Sequence, residues 1–160
     1  MKKILMAAVA LTAVTATPAF AADTVATYSV SGSVDALCAA SATGSISLGS
    51  LIDANGALSN SGGSATDSGA YCNGAGTTIQ VAHTNLSTAG TAATGFTNTI
   101  AFTPKVTAGA SVFTGDQASG TALGSFSGLT VEARSLTTGT DKPVAGSYSG
   151  SITVTLTPGV

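Results

Sequence analysis

From Thr24 to Cys38 the even positions read Thr24, Ala26, Tyr28, Val30, Gly32, Val34, Ala36 and Cys38. Most odd positions are polar: Asp23, Thr27, Ser29, Ser31, Ser33 and Asp35. Side chains that alternate with period two belong to a β-strand with one face covered and one face wet. The run is much longer than the usual five or six residues, so it reads as two functional segments joined end to end. Further runs of this kind are Ser45–Leu51 (SISLGSL), Thr77–Thr84 (TTIQVAHT), Asn98–Val106 (NTIAFTPKV), Gly128–Arg134 (GLTVEAR) and Tyr148–Thr157. Each is rich in β-branched residues and bounded by Gly, Ser, Asn or Pro. The last is the clearest: Tyr148, Gly150, Ile152, Val154 and Leu156 share one face, and Ser149, Ser151, Thr153, Thr155 and Thr157 the other. Ser111–Thr114 and Ala122–Ser127 are weaker candidates. No window after the first twenty residues repeats apolar side chains at three- and four-residue spacing, so no helix is expected.

Between the strands, Asp53–Gly69 (DANGALSNSGGSATDSG) carries Asn-Gly and Gly-Gly turn signals and reads as a long surface loop with room for one short strand. Ser87–Gly95 is a second loop. Neither is long enough to link two domains. Six alternating segments at turn spacing predict an all-β fold, an immunoglobulin-like β-sandwich one strand short of the usual seven.

The N-terminus is read separately. Met1-Lys2-Lys3 followed by the apolar Ile4–Val14, with the small residues Ala19 and Ala21 around Phe20, has the layout of a secretory signal peptide cleaved after Ala21, with Ala22 a near alternative. Residues 22–160, about 139 in number, then form a single exported domain. They keep three basic residues (Lys105, Arg134, Lys142) against seven acids, a net charge of −4. Such a chain lacks the positive field that dominates nucleic-acid affinity. Cys38 and Cys72 reach an oxidising compartment and read as one structural disulfide, since a spacing of 34 with no second ligand cluster suits neither a metal site nor a redox pair. The bond would enclose 33 residues, which on the chain-entropy argument removes roughly 3.5 to 4 kcal/mol of unfolded-state freedom. That matters in a chain with 29 Ala, 26 Thr, 20 Ser and 20 Gly, whose hydrophobic content is largely methyl groups.

Candidate chemistry is sparse. His83 stands alone on its strand and reads as a solvent-facing histidine rather than a ligand or base. Asp53-Ala54-Asn55-Gly56 lacks the later ligands of a calcium loop and reads as a turn. No G-x-S-x-G elbow accompanies the many serines. No catalytic residue, cofactor, metal or small-molecule substrate is expected. Lys105 and Arg134 read as surface strand charges.

A signal peptide, an alternating run leading to a first Cys, a Gly- and Ser-rich loop, a second Cys, and an ending of Gly146-Ser147-Tyr148-Ser149-Gly150 followed by SITVTLTP together resemble the spore coat protein U domain family, which is similar to the subunits of archaic chaperone-usher pili. The resemblance spans about Ala22 to Pro158 in layout, and its most specific part is the G-x-Y ending. Ser149-Gly150 stand where that family commonly has an acidic residue.

The resemblance implies an incomplete sandwich lacking its last strand, with an open groove filled first by a periplasmic chaperone. At an outer-membrane usher the N-terminal extension of another copy, or of a related subunit, then takes its place. Residues 22–32 would hold the donor strand, with Ala26, Tyr28, Val30 and Gly32 as its inserted face, and Val34 and Ala36 would begin the subunit's own first strand. Tyr148, Ile152, Val154 and Leu156 would line the acceptor groove. The product would be a surface fibre supporting adhesion or biofilm. Two alternatives stay open at this point. Ala26–Ala36 is an ordinary edge strand of a complete, self-contained surface protein, or the chain is an adhesin, against which its single-domain length counts.

Overall fold

Polar and apolar positions alternate because a sheet has two faces, and in the computed structural model, which describes residues 26–41 and 43–159, that alternation is realised in ten β-strands with no helix among the described residues. The expected signal peptide, 1–21, lies outside the described residues. The chain divides into two units, Met1–Ser33 and Val34–Val160, and all strands belong to the second. In the first, Ala26–Ser33 form no regular secondary structure and are exposed throughout.

The strands are β1 (Cys38–Ala39), β2 (Gly62–Cys72), β3 (Thr78–Ser87), β4 (Phe96–Thr97), β5 (Thr99–Ala108), β6 (Ser111–Thr114), β7 (Gln117–Ala122), β8 (Phe126–Thr137), β9 (Lys142–Pro143) and β10 (Ser149–Thr157). Eight join in one sheet of order β1-β2-β8-β5-β3-β10, with β6 added to β5 and β7 to β3. The pairings within it are antiparallel, while β4 and β9 make a separate parallel clip. The all-β expectation therefore holds. Two separate layers do not form, because β5 belongs to both halves. Its first residues, Thr99 and Ile100, pair with β3, and Lys105–Ala108 pair with β6. Pro104, which has no N–H to donate, falls in the gap between those pairings, where a strand can carry a proline without losing a rung.

The core sits inside the curl. Ile79 and Val81 of β3 meet Ala70 of β2, Val106 and Ala108 of β5, Phe113 of β6 and Leu129 of β8. A second cluster joins Leu86, Ile100, Phe102 and Ala133, and Ile152 of β10 packs against both. Outward-facing rows are hydroxyl-rich, as where Thr66 and Thr130 hydrogen-bond side chain to side chain at 3.2 Å.

Three expectations are revised. Of the described part of the Thr24–Cys38 run, residues 26–38, only Cys38 enters the ladder, because β2 ends opposite it. Ser45–Leu51 joins no ladder, although Ile46, Leu48 and Leu51 are half-buried. The supposed loop Asp53–Gly69 contains most of the eleven-residue β2. Its inward positions are small because the chain crosses over them: a Cβ on Gly63 would lie 2.9 Å from Cγ2 of Ile46.

Candidate functional site

β10 is the last strand of the sheet order. It pairs with β3 from Ser149↔Ser87 to Thr157↔Thr78, and its other edge has no partner among the described residues. Along that edge runs an open groove of about 1680 Å3. One wall is β10 itself, with Ile152, Val154 and Leu156 half-buried and turned inward. Leu129, Val131 and Ala133 of β8 lie on the floor. Ala40, Ser41 and residues 43–52 form the opposite wall.

That opposite wall is a strap rather than a strand. Side chains fasten it where a ladder would otherwise do so. The Ser41 N–H donates to Asp67 Oδ2 at 2.5 Å, and Asn60 Nδ2 donates to the carbonyls of Leu48 and Ser50 at 2.5 and 3.0 Å. Lys142 Nζ reaches the Asn55 carbonyl at 3.2 Å. Hydrogen bonding from the Ser41 amide holds the Asp67 carboxyl below its ordinary 3.8. At Asp53 the amides of Ala57 and Asn55 do the same. A wall tied at points can move without breaking a sheet.

Tyr148 closes one end. Its hydroxyl lies 3.1 Å from the carbonyl of Thr97 and 3.0 Å from that of Val144, so it donates to the β4–β9 clip, and burial pushes its pKa up. The residue thus lines the groove with its ring and anchors the start of β10 with its hydroxyl. At the other end the chain beyond β10 meets the turn after β2: a Cβ on Gly74 would lie 1.9 Å from the carbonyl oxygen of Gly159. Only glycine permits that approach.

The expected groove residues Tyr148, Ile152, Val154 and Leu156 are therefore brought together on one side. The expected donor residues are all exposed, Tyr28 by 87% and Val30 by 96%. Cys38 and Cys72 are bonded, directly opposite each other in the β1–β2 register. The strap and Phe102 were not singled out in the sequence; the half-buried pair Ile46 and Leu48 was the one available signal, hidden in a short Ser-rich run.

His83 is not solvent-facing as expected: its ring lies 5.0 Å from Phe102, edge to face, and Nδ1 is 2.7 Å from Asp116 Oδ1. It shares the inward side with its partner Ile152, because cross-strand pairs point the same way. Lys105 and Glu132 pair at 2.6 Å on the outer face, and the ammonium holds the carboxyl below its ordinary value. Among the described residues no three His, Cys, Asp or Glu side chains converge as a metal site would need. The groove is larger than the 300–1,000 Å3 usual for small ligands; apolar side chains of β8 and β10 line it on one side and Ser- and Gly-rich backbone of the strap on the other. Comparison with protein-family models, curated proteins and solved structures gives no match to this chain.

Proposed function

We propose that the chain is a structural subunit of a surface fibre, polymerising when the N-terminal segment of one copy fills the groove of the next. The observation that carries this reading is a complementarity. Among the described residues the chain has an unpaired strand edge, on β10, beside a groove lined in part by Ile152, Val154, Leu156, Leu129 and Val131, and it has an alternating segment, Ala26, Tyr28, Val30 and Gly32, whose two large side chains are exposed. Strand addition satisfies both: the free edge of β10 gains backbone partners, and alternate side chains enter the groove. Because the donating and accepting surfaces differ, the contact repeats head to tail and builds a fibre rather than a closed dimer.

In this reading the curled sheet is an immunoglobulin-like fold without its seventh strand, with β5 shared between the β2–β8 half and the β3–β10 half. Apolar surface left open in water costs about 25 cal/mol per Å2. A nascent subunit therefore needs a temporary occupant, for which a periplasmic chaperone and an outer-membrane usher are the proposed partners. The destination is the cell surface, where such a fibre would support adhesion or biofilm. The layout resemblance to spore coat protein U domains and archaic pilins points the same way.

The test is electrophoretic. Mature protein recovered from surface material is run unboiled and boiled on a denaturing gel. A ladder of multiples that collapses to monomer on boiling is expected; a single monomer band in both lanes, with a cooperative melt, overturns the reading in favour of a self-contained surface protein.

A further inference from the structure

Beyond β2 the first strand has no backbone ladder to follow, yet it is held for one more rung. Cys38 faces Cys72, so Leu37 faces Asn73. The Asn73 N–H donates to the Leu37 carbonyl at 3.1 Å, as in any antiparallel pair. The return bond is different. The Leu37 N–H donates to the side-chain Oδ1 of Asn73 at 2.6 Å, and Asn73 Nδ2 donates to the Asp35 carbonyl at 2.9 Å. The β2 backbone meanwhile turns away through Gly74–Thr77, with Thr77 N–H on the Gly74 carbonyl. One amide side chain thus continues the ladder after the main chain has left it.

We propose that Asn73 is a positioning residue that presents the N-terminal segment to the groove of a second copy of this chain and withholds it from its own. The inference rests on the donor-strand reading above and adds what decides that a neighbour's groove, and not the chain's own, is served. The strap and the residues from Asp35 to Cys38 are one continuous run, and the groove lining begins at Ala40. To enter its own groove, the segment must reverse and lie beside the strap. Asn73 occupies the Asp35 carbonyl and both backbone groups of Leu37, and the disulfide fixes Cys38. The reversal is therefore pushed to residues before Asp35. A tight turn takes about four residues, so it would fall on Ser31–Val34 and remove Gly32, with Val30 at its edge, from the inserting face. The intact face Ala26, Tyr28, Val30 and Gly32 is usable only by a neighbour. Without the two side-chain bonds the turn can form nearer Cys38, and the whole face can fold home.

The experiment places the photo-crosslinking residue p-benzoylphenylalanine at Val30 in the full mature chain. Isotopically heavy and light preparations are mixed unfolded with the disulfide intact, refolded together and illuminated. Links between position 30 and the peptide containing Ile152–Leu156 are sorted by mass. With Asn73 present, mixed-label links are expected. In Asn73→Ala they fall roughly tenfold and same-subunit links rise in their place, as befits the loss of two exposed hydrogen bonds of ordinary strength. Asn73→Asp keeps the acceptor for Leu37 but not the donor to Asp35; it is expected to lie between, and it serves as the test should Asn73→Ala not refold. Mixed-label links as frequent in both variants as with Asn73 overturn the positioning role and leave the donor reading standing. Same-subunit links alone in the unsubstituted chain overturn it as well. Absence of any link from position 30 to the groove fails the donor reading itself, and the inference with it.

Discussion

The carboxylate of Asp67 reaches across from β2 to the backbone of Ser41, and through that bond a single ionisable group holds a wall of the groove. The same side chain accepts from the Gly69 N–H at 3.0 Å where the β2–β8 register slips between Asp67 and Tyr71. It therefore stabilises both the strap and the irregular stretch of strand beneath it.

Acid should release that wall. The Asp67 and Glu132 carboxyls titrate lower in the folded chain than their ordinary 3.8 and 4.5, so their contribution is present above those values and is lost as pH falls through the lower, folded ones. Denaturant midpoints recorded from neutral pH downward should stay level and then drop below about pH 4. Asp67→Asn should lower the plateau and flatten the drop. An undiminished acid slope in that variant would remove Asp67 from the account.

Val154 pairs with the buried Val81 on the inward face of β10 and is the middle of the three groove side chains. Val154→Thr keeps the shape and adds a hydroxyl that a filled groove would leave without a partner. It should weaken subunit or chaperone capture by about 1 to 3 kcal/mol, or one to two powers of ten in affinity, with little change in the melt of the free subunit. Val154→Glu should abolish capture. Titration calorimetry with a synthetic peptide of residues 22–34 reads both.

The Cys38–Cys72 bond ties the first strand to the sheet at the only rung β1 shares besides Ala39–Tyr71. Replacing both by Ser should cost roughly 3.5 to 4 kcal/mol of unfolding free energy, measured in urea. Unchanged stability would mean that the strap and Asn73 hold the first strand unaided.

Ser135 has φ of 53°, the one positive value among non-glycine residues described, and it sits where β8 slips against β5 between Ala101↔Thr137 and Thr103↔Arg134. A bulge with a left-handed residue explains both facts. Ser135→Gly should leave stability unchanged or raise it by up to about 1 kcal/mol, whereas Ser135→Val should lower it by about 1 to 2 kcal/mol. Thermal melts of the two variants test the sign.

The strands that alternate large apolar with polar residues were readable from the sequence: β3, β5, β8 and β10 lie at or close to the positions the pattern indicates. β2 was obscured because its covered positions include Gly63, Ala65 and Ala70, small side chains that carry little hydrophobic signal, and at Gly63 Ile46 and Leu48 come too close for a larger one. A covered strand with little side chain looks like a loop. The run from Thr24 carries a strand's pattern, yet a ladder needs a neighbour, and among the described residues β2 offers one only at Cys38 and Ala39. The groove residues of β10 were legible from period two alone. That Ser45–Leu51 forms a strap rather than a strand, and that Asn73 holds the first strand, were not legible, since those bonds join side chains to distant backbone and leave no periodic trace.

The Gly74–Gly159 contact and the β3–β10 pairing also set an order in time. β3 is synthesised well before β10, and until residues 149–157 have emerged one edge of β3 has no strand to meet. The sheet can start early, but the groove acquires its near wall only when the final strand arrives and its end seats against the turn at Gly74. Any factor that recognises the finished groove therefore recognises, by the same act, a chain in which β10 has already seated against β3.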